Sequence, residues 1–338
     1  MIDLLVAGGG PAGLATAIHG ARAGLDVVVV ERRAGTLDKA CGEGMMPHTV
    51  AQLARLGVTP PGMPLRGIAY VDRDQRIEAA FRTGPGRGVR RTALHAALQA
   101  AARDAGVGFL HSDIGPISQD ADSVRAGGLQ ARYLAAADGL HSPIRRALGL
   151  SQPCRGPRRW GIRHHVQIAP WSDRVEVHWG PDSEAYVTPV AEDCVGIAIL
   201  SASRGGFDRH LSEFPALIDR VHGHAHGPDR AAGPLRQKAR SRTAGRVLLV
   251  GDAAGYVDAL TGEGVGMAFG AAELLVNCVA TQRTSDYDRQ WRAFTRRYRL
   301  LTTGLVHAGS VPQIRSRIVP AARTLPRIFA GVVNQLAA

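Results

Sequence analysis

Glycine-rich turns, widely separated along the chain, carry residues suited to binding a phosphate-rich cofactor. The first, Gly8–Gly13 (GGGPAG), has the G-x-G-x-x-G spacing between an apolar strand predicted at 2–7 and a helix predicted at 11–23. There Gly8 permits a tight turn, Gly10 lets the backbone approach a pyrophosphate, and Gly13 lets helix and strand pack closely. The amino terminus of the helix would present unpaired N–H groups to the phosphates.

An acidic residue, Glu31, closes a second buried strand predicted at 25–31 (LDVVVVE). A carboxylate at this point can accept hydrogen bonds from a ribose diol. The succession of strand, glycine turn, helix, strand and acid therefore predicts dinucleotide binding, which an isolated glycine turn would not. The acid would repel a 2′-phosphate, so the adenosine bound here is not expected to be that of NADP.

Two further turns follow predicted strands later in the chain. The stretch AADGLHSPIRRALGL at 136–150 places Asp138 and Gly139 after a strand, although by itself it is also typical of a plain turn with Ser142 capping the next helix. The stretch GDAAGYVDALTGEGVG at 251–266 places Asp252 after the buried run RVLLV. That carboxylate can bind a ribityl or ribose hydroxyl, and the later glycines would open another helix facing a flavin ring.

The intervening segments indicate how these turns are held. A helix is predicted at 90–105, with Leu94 and Leu98 on one face, and four short strands between about 160 and 201 are typical of an antiparallel sheet. The fold class is thus predicted as α/β: a Rossmann-like nucleotide-binding domain with an inserted antiparallel β-sheet domain and C-terminal helices. The predicted ranges are 1–65, 89–150 and 245–300 for the nucleotide-binding domain, 66–88 and 151–244 for the β-rich substrate domain, and 301–338 for the C-terminal helical segment.

Composition limits the partners and the compartment. The 41 Lys and Arg residues exceed the 29 Asp and Glu residues, giving a net charge of +12 that comes almost wholly from arginine. This charge favours anionic ligands or an acidic membrane surface, and no nucleic-acid-binding motif accompanies it. The four scattered cysteines include no CxxC pair, so neither a metal site nor disulfides are expected. We expect a cytoplasmic protein without a signal peptide or membrane span.

The three turns, in this order, resemble the FAD-dependent oxidoreductases of the aromatic hydroxylase and geranylgeranyl reductase superfamily, which share the p-hydroxybenzoate hydroxylase fold. The resemblance extends from residue 2 to about 300. It implies that the first turn binds the ADP half of FAD, that the second contributes to FAD and NAD(P)H interactions, and that the third binds the ribityl chain. FAD is then the cofactor, with NADPH or NADH as a transient electron donor. The cofactor-binding residues that these motifs imply are Gly8, Gly10, Pro11, Ala12, Gly13, Glu31, Arg32, Cys41, Gly42, Arg91, Asp138, Gly139, Gly251, Asp252, Gly262, Gly264 and Val265.

Departures from the hydroxylase pattern leave two activities open. Aromatic hydroxylases typically read GDAAHxxxPxxGQGxN, whereas this chain has Gly255, Ala259 and Glu263 at the His, Pro and Gln positions. GDAAG with GEG, together with DKACGEGMMP at 38–47, is nearer to the geranylgeranyl reductase form. A halogenase is disfavoured because the WxWxIP motif is absent.

Short flavoproteins with this motif set nevertheless resemble hydroxylases of polyketide phenols, such as alkylresorcinols. We therefore predict a monooxygenase that uses NAD(P)H and O2 to hydroxylate a phenolic or polyketide-type substrate through a C4a-hydroperoxyflavin. The alternative is a reductase of prenyl or lipid double bonds. The implied partners are O2 and a small aromatic or lipid-like molecule. A sensor without turnover is the least favoured reading, because it would not need a substrate domain.

Candidate catalytic residues are less well defined than the cofactor residues. His164, His165, His178 and Tyr186 lie in the β-rich segment and could accept a proton or orient a phenol, although histidines alternating along a strand are usually exposed. Cys41 is placed near the flavin by the reductase resemblance, and a buried inert thiol is the alternative.

Two remaining segments have plain interpretations. The HGHAH stretch at 222–226 lacks acid or cysteine partners at ligand spacing, and an exposed loop is expected. The segment 310–338 alternates arginines with apolar residues, which is compatible with a peripheral membrane contact or with a helix packed on the flavin domain.

Overall fold

A computed structural model describes residues 1–73 and 75–337. Within these ranges the chain forms strands and helices that alternate at its beginning and separate into blocks later. The strands are β1 (Ile2–Ala7), β2 (Val27–Val30), β3 (Gly44–Met45), β4 (Met63–Leu65), β5 (Gly67–Asp72), β6 (Gln75–Ala80), β7 (Gly86–Gly88), β8 (Gly108–Leu110), β9 (Ser118–Gln119), β10 (Val124–Ala126), β11 (Leu129–Ala136), β12 (Ser151–Gln152), β13 (Trp160–Val166), β14 (Arg174–Trp179), β15 (Ser183–Ala191), β16 (Cys194–Ser201), β17 (Arg230–Ala232), β18 (Lys238–Ala239), β19 (Thr243–Ala244) and β20 (Val247–Leu249).

Many of the helices begin at a proline, whose fixed φ suits the first helical turn and whose missing N–H costs nothing there. The α-helices are α1 (Pro11–Arg22), α2 (Pro47–Arg55), α3 (Arg91–Asp104), α4 (Pro143–Ala147), α5 (Phe207–Leu211), α6 (Pro215–Val221), α7 (Gly264–Ala280), α8 (Tyr287–Ser310), α9 (Pro312–Arg315), α10 (Ile318–Thr324) and α11 (Pro326–Ala337). Short 3₁₀ turns occupy Gly251–Ala254 and Thr284–Asp286. No helix of the described ranges is long and apolar enough to cross a membrane.

The first sheet has the strand order β19-β20-β11-β1-β2-β8, with β10 and β9 added beside β11. Strands β20, β11, β1, β2 and β8 pair in parallel, and α1, α3 and α7 pack with them around one large apolar core. Leu94 and Leu98 of α3 are buried in this core, as their helical spacing predicts. The Rossmann-like α/β prediction is therefore confirmed.

The second sheet has the order β17-β13-β16-β15-β14-β5-β6 and contains the four strands predicted between 160 and 201. Its neighbours pair antiparallel as predicted, except that β5 enters parallel to β14. This exception arises because β5 and β6 come from a distant part of the chain, and no hairpin turn fixes their direction. Strand β6 supports α10 and α11, whose buried Val319, Phe329 and Val333 share an apolar cluster with the sheet.

Shorter strands connect the first and second sheets. Strands β3, β7 and β4 form a three-stranded antiparallel sheet, in which segments near residues 45, 64 and 87 meet. Strands β12 and β18 form a two-stranded ribbon beside the turn at Gly251. The C-terminal segment is divided at Pro312 and Pro326, each of which starts a helix, whereas Pro320 lies within α10.

Candidate functional site

The three glycine-rich turns meet at one edge of the first sheet. Ala7 of β1 is in register with Val30 of β2 and with Ala136 of β11, and Ala136 is in register with Leu249 of β20. The four parallel strands therefore end at the same level. Ligands of open α/β sheets bind at this carboxyl edge, so the sequence-predicted motifs are brought together where such a ligand belongs.

The first turn has the shape that its glycine spacing predicts. Gly8 has a φ of +108°, and a Cβ on Gly13 would lie 1.9 Å from the Gly8 carbonyl oxygen. A Cβ on Gly10, by contrast, would have no atom within 4 Å. The turn is thus tight on its protein side and open beside Pro11, the first residue of α1. This open space at a helix amino terminus suits a pyrophosphate.

Glu31 lies directly behind this turn. Its Oε2 accepts a hydrogen bond from the Gly9 amide at 2.9 Å, and its Oε1 accepts from the Arg33 Nε at 3.0 Å. Burial opposes ionisation, but the hydrogen bonds from Arg33 and Gly9 outweigh it and lower the pKa of Glu31. The carboxylate therefore stays ionised and can accept from a ribose diol. Arg32 is exposed beside it.

His95 fixes the other side of the turn, and sequence reasoning missed it. The Leu37 amide donates to His95 Nδ1 at 3.3 Å, so Nε2 carries the proton and donates to the Gly9 carbonyl at 2.9 Å. Burial, with help from Arg91, lowers the pKa of His95 and keeps the ring neutral. A single histidine in an amphipathic helix does not by itself indicate a functional role. The position of His95 one helical turn after Arg91 is the sequence feature that could have indicated this one.

Arg91 presents a buried positive charge without a protein partner. Its side chain is 5% exposed, and its Nη1 has no hydrogen-bond partner among the described residues. Leaving a buried charged group unpaired is costly unless a ligand completes its interactions. A cofactor phosphate would supply that partner, so Arg91 fits the role that the family resemblance implies.

The second turn is linked to the third by an arginine. Ser142 Oγ accepts from the Arg145 amide at 2.9 Å, as a helix cap, and Asp138 Oδ2 accepts from the Ile144 amide at 3.0 Å. The Arg145 guanidinium, 2% exposed, donates to the Ala253 carbonyl at 2.9 Å. Asp138 Oδ1 is buried without a partner in the described part of the chain, which leaves one acceptor for a ligand.

The third turn places Asp252 among cations. Burial raises the pKa of Asp252, whereas Lys39, Arg91 and Arg145 act in the opposite direction. Lys39 is also close to the second turn, because a Cβ on Gly139 would lie 3.3 Å from its Nζ. An acceptor for a ribityl or ribose hydroxyl is thus surrounded by cations suited to phosphates.

The segment after Asp252 faces the loop that contains Cys41. Gly262 has a φ of +70°, and a Cβ there would lie 3.7 Å from Met46 Cε and 3.9 Å from the Gly44 carbonyl oxygen. Gly264 and Val265 start α7. On the opposing loop, the Gly42 carbonyl accepts from Thr188 Oγ1 at 2.8 Å. Residues 41–44 (CGEG), called the cysteine loop below, therefore lie between the third turn and the second sheet.

Glu43 anchors the cysteine loop, and sequence reasoning missed it too. It adopts a φ of +60°, is 3% exposed, and its Oε1 accepts from the Arg91 amide at 2.7 Å. Its Oε2 accepts from His165 Nε2 at 2.7 Å. Arg163 donates to His165 Nδ1 at 2.9 Å. One carboxylate thus links the cysteine loop, the phosphate-facing helix α3 and the second sheet.

The expectation that the strand histidines are exposed is wrong. His164, His165 and His178 are 4%, 7% and 9% exposed, because the strands that carry them are covered on both faces. His164 stacks on Phe207 with centroids 3.9 Å apart, and His178 Nε2 lies 3.1 Å from Glu176 Oε2.

Of the four candidate catalytic side chains in the second sheet, two contact the loops just described. His165 contacts the cysteine loop through Glu43, and Tyr186 donates to the Leu260 carbonyl at 3.1 Å in the third turn. Burial raises the pKa of Tyr186 well above its usual value. His178 contacts Glu176 instead, and the HGHAH stretch is exposed, as predicted.

A buried His48–Glu263 pair closes the site at α7. His48 Nε2 lies 2.8 Å from Glu263 Oε2, and Glu263 is 3% exposed. Burial raises the pKa of Glu263, and the contact with this carboxylate overcomes burial to raise that of His48. Glu263 stands where hydroxylases have glutamine, and its histidine partner lies more than 200 residues earlier.

Comparison with known proteins identifies the cofactor that these turns hold. The family model described as "FAD binding domain" matches residues 1–284. The chain belongs to this family. It is an FAD-dependent oxidoreductase, and the open space at Gly10, the unpaired Arg91 and the unpaired Asp138 oxygen fit the phosphates and hydroxyls of FAD.

Curated relatives within the family are reductases. The chain is 30% identical over 321 residues to a menaquinone reductase of Mycobacterium tuberculosis, covering 81% of this chain and 76% of that protein. It is 25% identical over 330 residues to digeranylgeranylglycerophospholipid reductase 1 of Methanothermobacter thermautotrophicus, covering 86% and 82%.

Solved structures confirm the fold. A geranylgeranyl bacteriochlorophyll reductase-like protein from Thermoplasma acidophilum superposes with a TM-score of 0.81 at 19% identity, covering 94% of this chain and 90% of that one. The myxobacterial chondrochloren halogenase CndH gives a TM-score of 0.80 at 20% identity, covering 98% and 90%. At these identities the likeness concerns the fold alone.

Proposed function

We propose that this flavoprotein reduces a carbon–carbon double bond of a prenyl or similar lipid-like substrate, with NADH or NADPH as the electron donor. The relatives at 25–30% identity that are named for their reactions are reductases of menaquinone and of a digeranylgeranyl phospholipid. Their names support a hydrophobic substrate. Glu263 and the CGEG loop, which depart from the hydroxylase pattern, support the same choice.

The observation that carries the proposal is the position of the Cys41 thiol, on the loop that faces Gly262 of the third turn. Burial, with Glu43 adding to it, raises the pKa of Cys41, and the Glu43 amide contacts its Sγ at 3.4 Å. Bound FAD would supply a hydride to one carbon of the double bond. The Cys41 thiol would give its proton to the other carbon, and water would then reprotonate the thiolate, so that two hydrogens are added in total.

A buried apolar cluster adjoins the third turn. Leu200, Leu235, Leu260 and Val306 form it, and Tyr186 packs against it. It would serve as an apolar wall behind a substrate chain placed at Tyr186, because prenyl chains have no polar atoms to satisfy and are stabilised by burial. The Tyr186 hydroxyl donates a hydrogen bond to the Leu260 carbonyl, and this contact fixes the position of the wall relative to the third turn.

Hydroxylation of a phenolic or polyketide-type substrate with O2 is the second candidate. The specific observation in its favour is the same wall, because an alkyl-bearing phenol would fit beside Tyr186 as well as a prenyl chain does. The histidine nearest the cysteine loop is a poor base for a phenol, since both ring nitrogens of His165 already have partners. We therefore rank reduction first.

We also propose that the C-terminal helices contact a membrane surface peripherally. Leu325 and Ile328, at the turn between α10 and α11, are 51% and 61% exposed. Arg323 precedes Leu325 by two positions, and Arg327 lies between Leu325 and Ile328 in the sequence. Apolar side chains beside arginines suit the interface of an anionic membrane, where a lipid substrate is held.

Product analysis of turnover tests the reductase proposal. FAD-loaded protein is incubated with NADH or NADPH and with a geranylgeranyl lipid that contains no quinone, and the mass of the product is measured by mass spectrometry. We expect a gain of two hydrogens, of which at least the one delivered by the thiol becomes deuterium in heavy water. Cys41→Ala should lower the rate about 100-fold while retaining FAD, since a positioned proton donor contributes roughly that much.

The matched control is Cys278→Ala, which removes a buried thiol from the far part of α7. An oxygen-containing product with an alkylphenol, and no hydrogenated lipid, would contradict the proposal and favour the second candidate. Turnover by Cys41→Ala at the wild-type rate would refute the role of the thiol.

A further inference from the structure

A large cavity lies beside the third turn, apart from the phosphate-facing residues of the FAD site. It has a volume of about 870 Å³ and is lined by Gly251, Asp252 and Gly264, by Trp291 and other residues of α8, and by the β12–β18 ribbon. Gly8, Glu31 and Arg91 do not line it. Its size is that of a site for a cofactor or a substrate, not for a single small ion.

Positively charged side chains dominate the lining of this cavity, which is called the cationic cavity below. Arg242 and Arg292 both contact Asp288, at 3.2 Å and 2.7 Å. Asp252 is the only acidic residue of the lining. Further lining cations make no ion pair within the described ranges; they are Arg155, Arg236, Lys238, Arg296 and Arg299.

Two of these cations, Arg242 and Arg299, contact the Trp291 ring. Arg242, 2% exposed, donates from Nε to the Ala254 carbonyl at 3.1 Å and lies 3.9 Å from the Trp291 ring centroid. Arg299 lies over the same ring, at 5.5 Å. Burial, Arg292 and Arg236 together lower the pKa of Arg299. The cations are therefore crowded, and an anion placed among them would relieve their mutual repulsion.

We infer that the cationic cavity binds the phosphate group of an extended organic phosphate. Guanidinium groups match phosphate oxygens in geometry and charge, and Arg236, Arg296 and Arg299 supply them without competing carboxylates. Asp252 would repel a phosphate, so the phosphate belongs at the arginine end and the remainder of the ligand extends towards the third turn. A ligand held in this way is positioned by the same turn that holds FAD.

Two sources offer this chemistry if the chain acts as proposed above, and in naming them the inference rests on the proposed function. One is the nicotinamide donor, through its diphosphate or its 2′-phosphate. The other is a lipid substrate with a phosphate headgroup. The cavity itself requires only the phosphate, so its occupancy can be tested without turnover.

Calorimetric titration of the FAD-loaded protein tests the site. The probes are inorganic pyrophosphate, NADPH, NADH and dihexanoylphosphatidic acid below its micelle concentration. We expect pyrophosphate to bind, with an affinity that falls as salt is added. Arg236→Gln and Arg296→Gln should each weaken binding about tenfold, because each removes a charge-assisted contact. Arg297→Gln, one residue along α8 and outside the lining, is the matched control.

The other probes identify the source. Binding of either dinucleotide that depends on Arg296, without binding of phosphatidic acid, would assign the site to the donor, and a preference for NADPH would indicate its 2′-phosphate. Binding of phosphatidic acid with the same dependence, without binding of either dinucleotide, would assign it to a lipid. Absence of pyrophosphate binding, or equal weakening by Arg297→Gln, would overturn the inference. A protein that binds pyrophosphate at Arg296 but hydrogenates no lipid would refute the proposed function alone.

Discussion

At the scale of single residues, the FAD site is built from groups left incomplete by the protein. Arg91 and Asp138 each keep a buried polar atom without a partner within the described ranges. Burying these two polar atoms without a partner costs free energy in the absence of the cofactor. The cofactor removes this cost when it supplies the missing contacts. Stability and cofactor affinity are therefore coupled at these residues.

The Arg91→Met variant tests this coupling. Loss of a charge-assisted contact to phosphate should raise the Kd of FAD by about tenfold to 100-fold, measured by fluorescence titration. The cofactor-free variant should be no less stable than the wild type in urea, because the unpaired buried cation is gone. Arg103→Met, at the other end of α3, is the control and should leave both quantities unchanged. Wild-type FAD affinity in Arg91→Met would contradict the assignment.

Glu176 gives a pH-dependent prediction at the same scale. Burial opposes ionisation, but hydrogen bonds from His178, Trp171 and Arg76 overcome it and lower the pKa of Glu176 from 4.5 to about 2. The stabilisation is present above the unfolded-state pKa and is lost as the pH falls through the folded-state value. Between pH 5 and pH 3 this carboxylate should account for a loss of about 2 kcal/mol in the free energy of unfolding.

Urea unfolding at the two pH values checks this expectation. Glu176→Gln should show a smaller acid-induced loss than the wild type by that amount. Glu78→Gln is the matched control, since Glu78 pairs with the same Arg76 but is far more exposed, and its effect should be small. Identical acid sensitivity in wild type and Glu176→Gln would show that Glu176 is not the responsible group.

The site residues also show what sequence could predict. The roles of Gly8, Gly10 and Gly13 follow from local spacing, because a tight turn and a helix terminus are local structures. His95 contacts Gly9 across 86 positions, and Glu43 contacts His165 across 122. Such pairs form only when distant elements meet, and a single sequence carries no spacing that marks them.

At the scale of elements, the strands predicted at 2–7 and 25–31, the helix predicted at 90–105 and the four strands predicted between 160 and 201 are all present in the structure. The parallel entry of β5 beside β14 was not predicted, because no turn connects the two strands. The C-terminal segment was predicted either to contact a membrane or to pack on the flavin domain, whereas α10 and α11 pack on β6 of the second sheet. Their buried Phe329 and Val333 show that removing these helices would open an apolar cluster.

Point variants therefore test the membrane proposal better than truncation does. Replacing both Leu325 and Ile328 with Glu should preserve folding, since both are exposed, and should reduce co-sedimentation with anionic liposomes at least severalfold by removing apolar insertion and adding repulsion. Leu110→Glu, on the edge strand β8, is the control for an added surface charge. Equal sedimentation of all three proteins would refute the membrane contact.

At the scale of the whole molecule, the two sheets contribute different residues to the site. The first aligns the three turns along its carboxyl edge, and the second carries Tyr186 and the His165–Glu43 contact to the same place. The cysteine loop lies between them, so a substrate reaching it would contact residues from both sheets. This arrangement supports a reaction in which one sheet positions the cofactor and the other positions the substrate.

The most direct test of this account is the oxidative half-reaction in a stopped-flow spectrometer. FAD-loaded protein, photoreduced without oxygen, is mixed with a geranylgeranyl lipid that contains no quinone, and separately with oxygenated buffer containing an alkylphenol. The account predicts that the absorbance of oxidised flavin returns in the anaerobic mixture with the lipid. No return there, together with a transient near-ultraviolet band and a hydroxylated phenol in the oxygenated mixture, would contradict it.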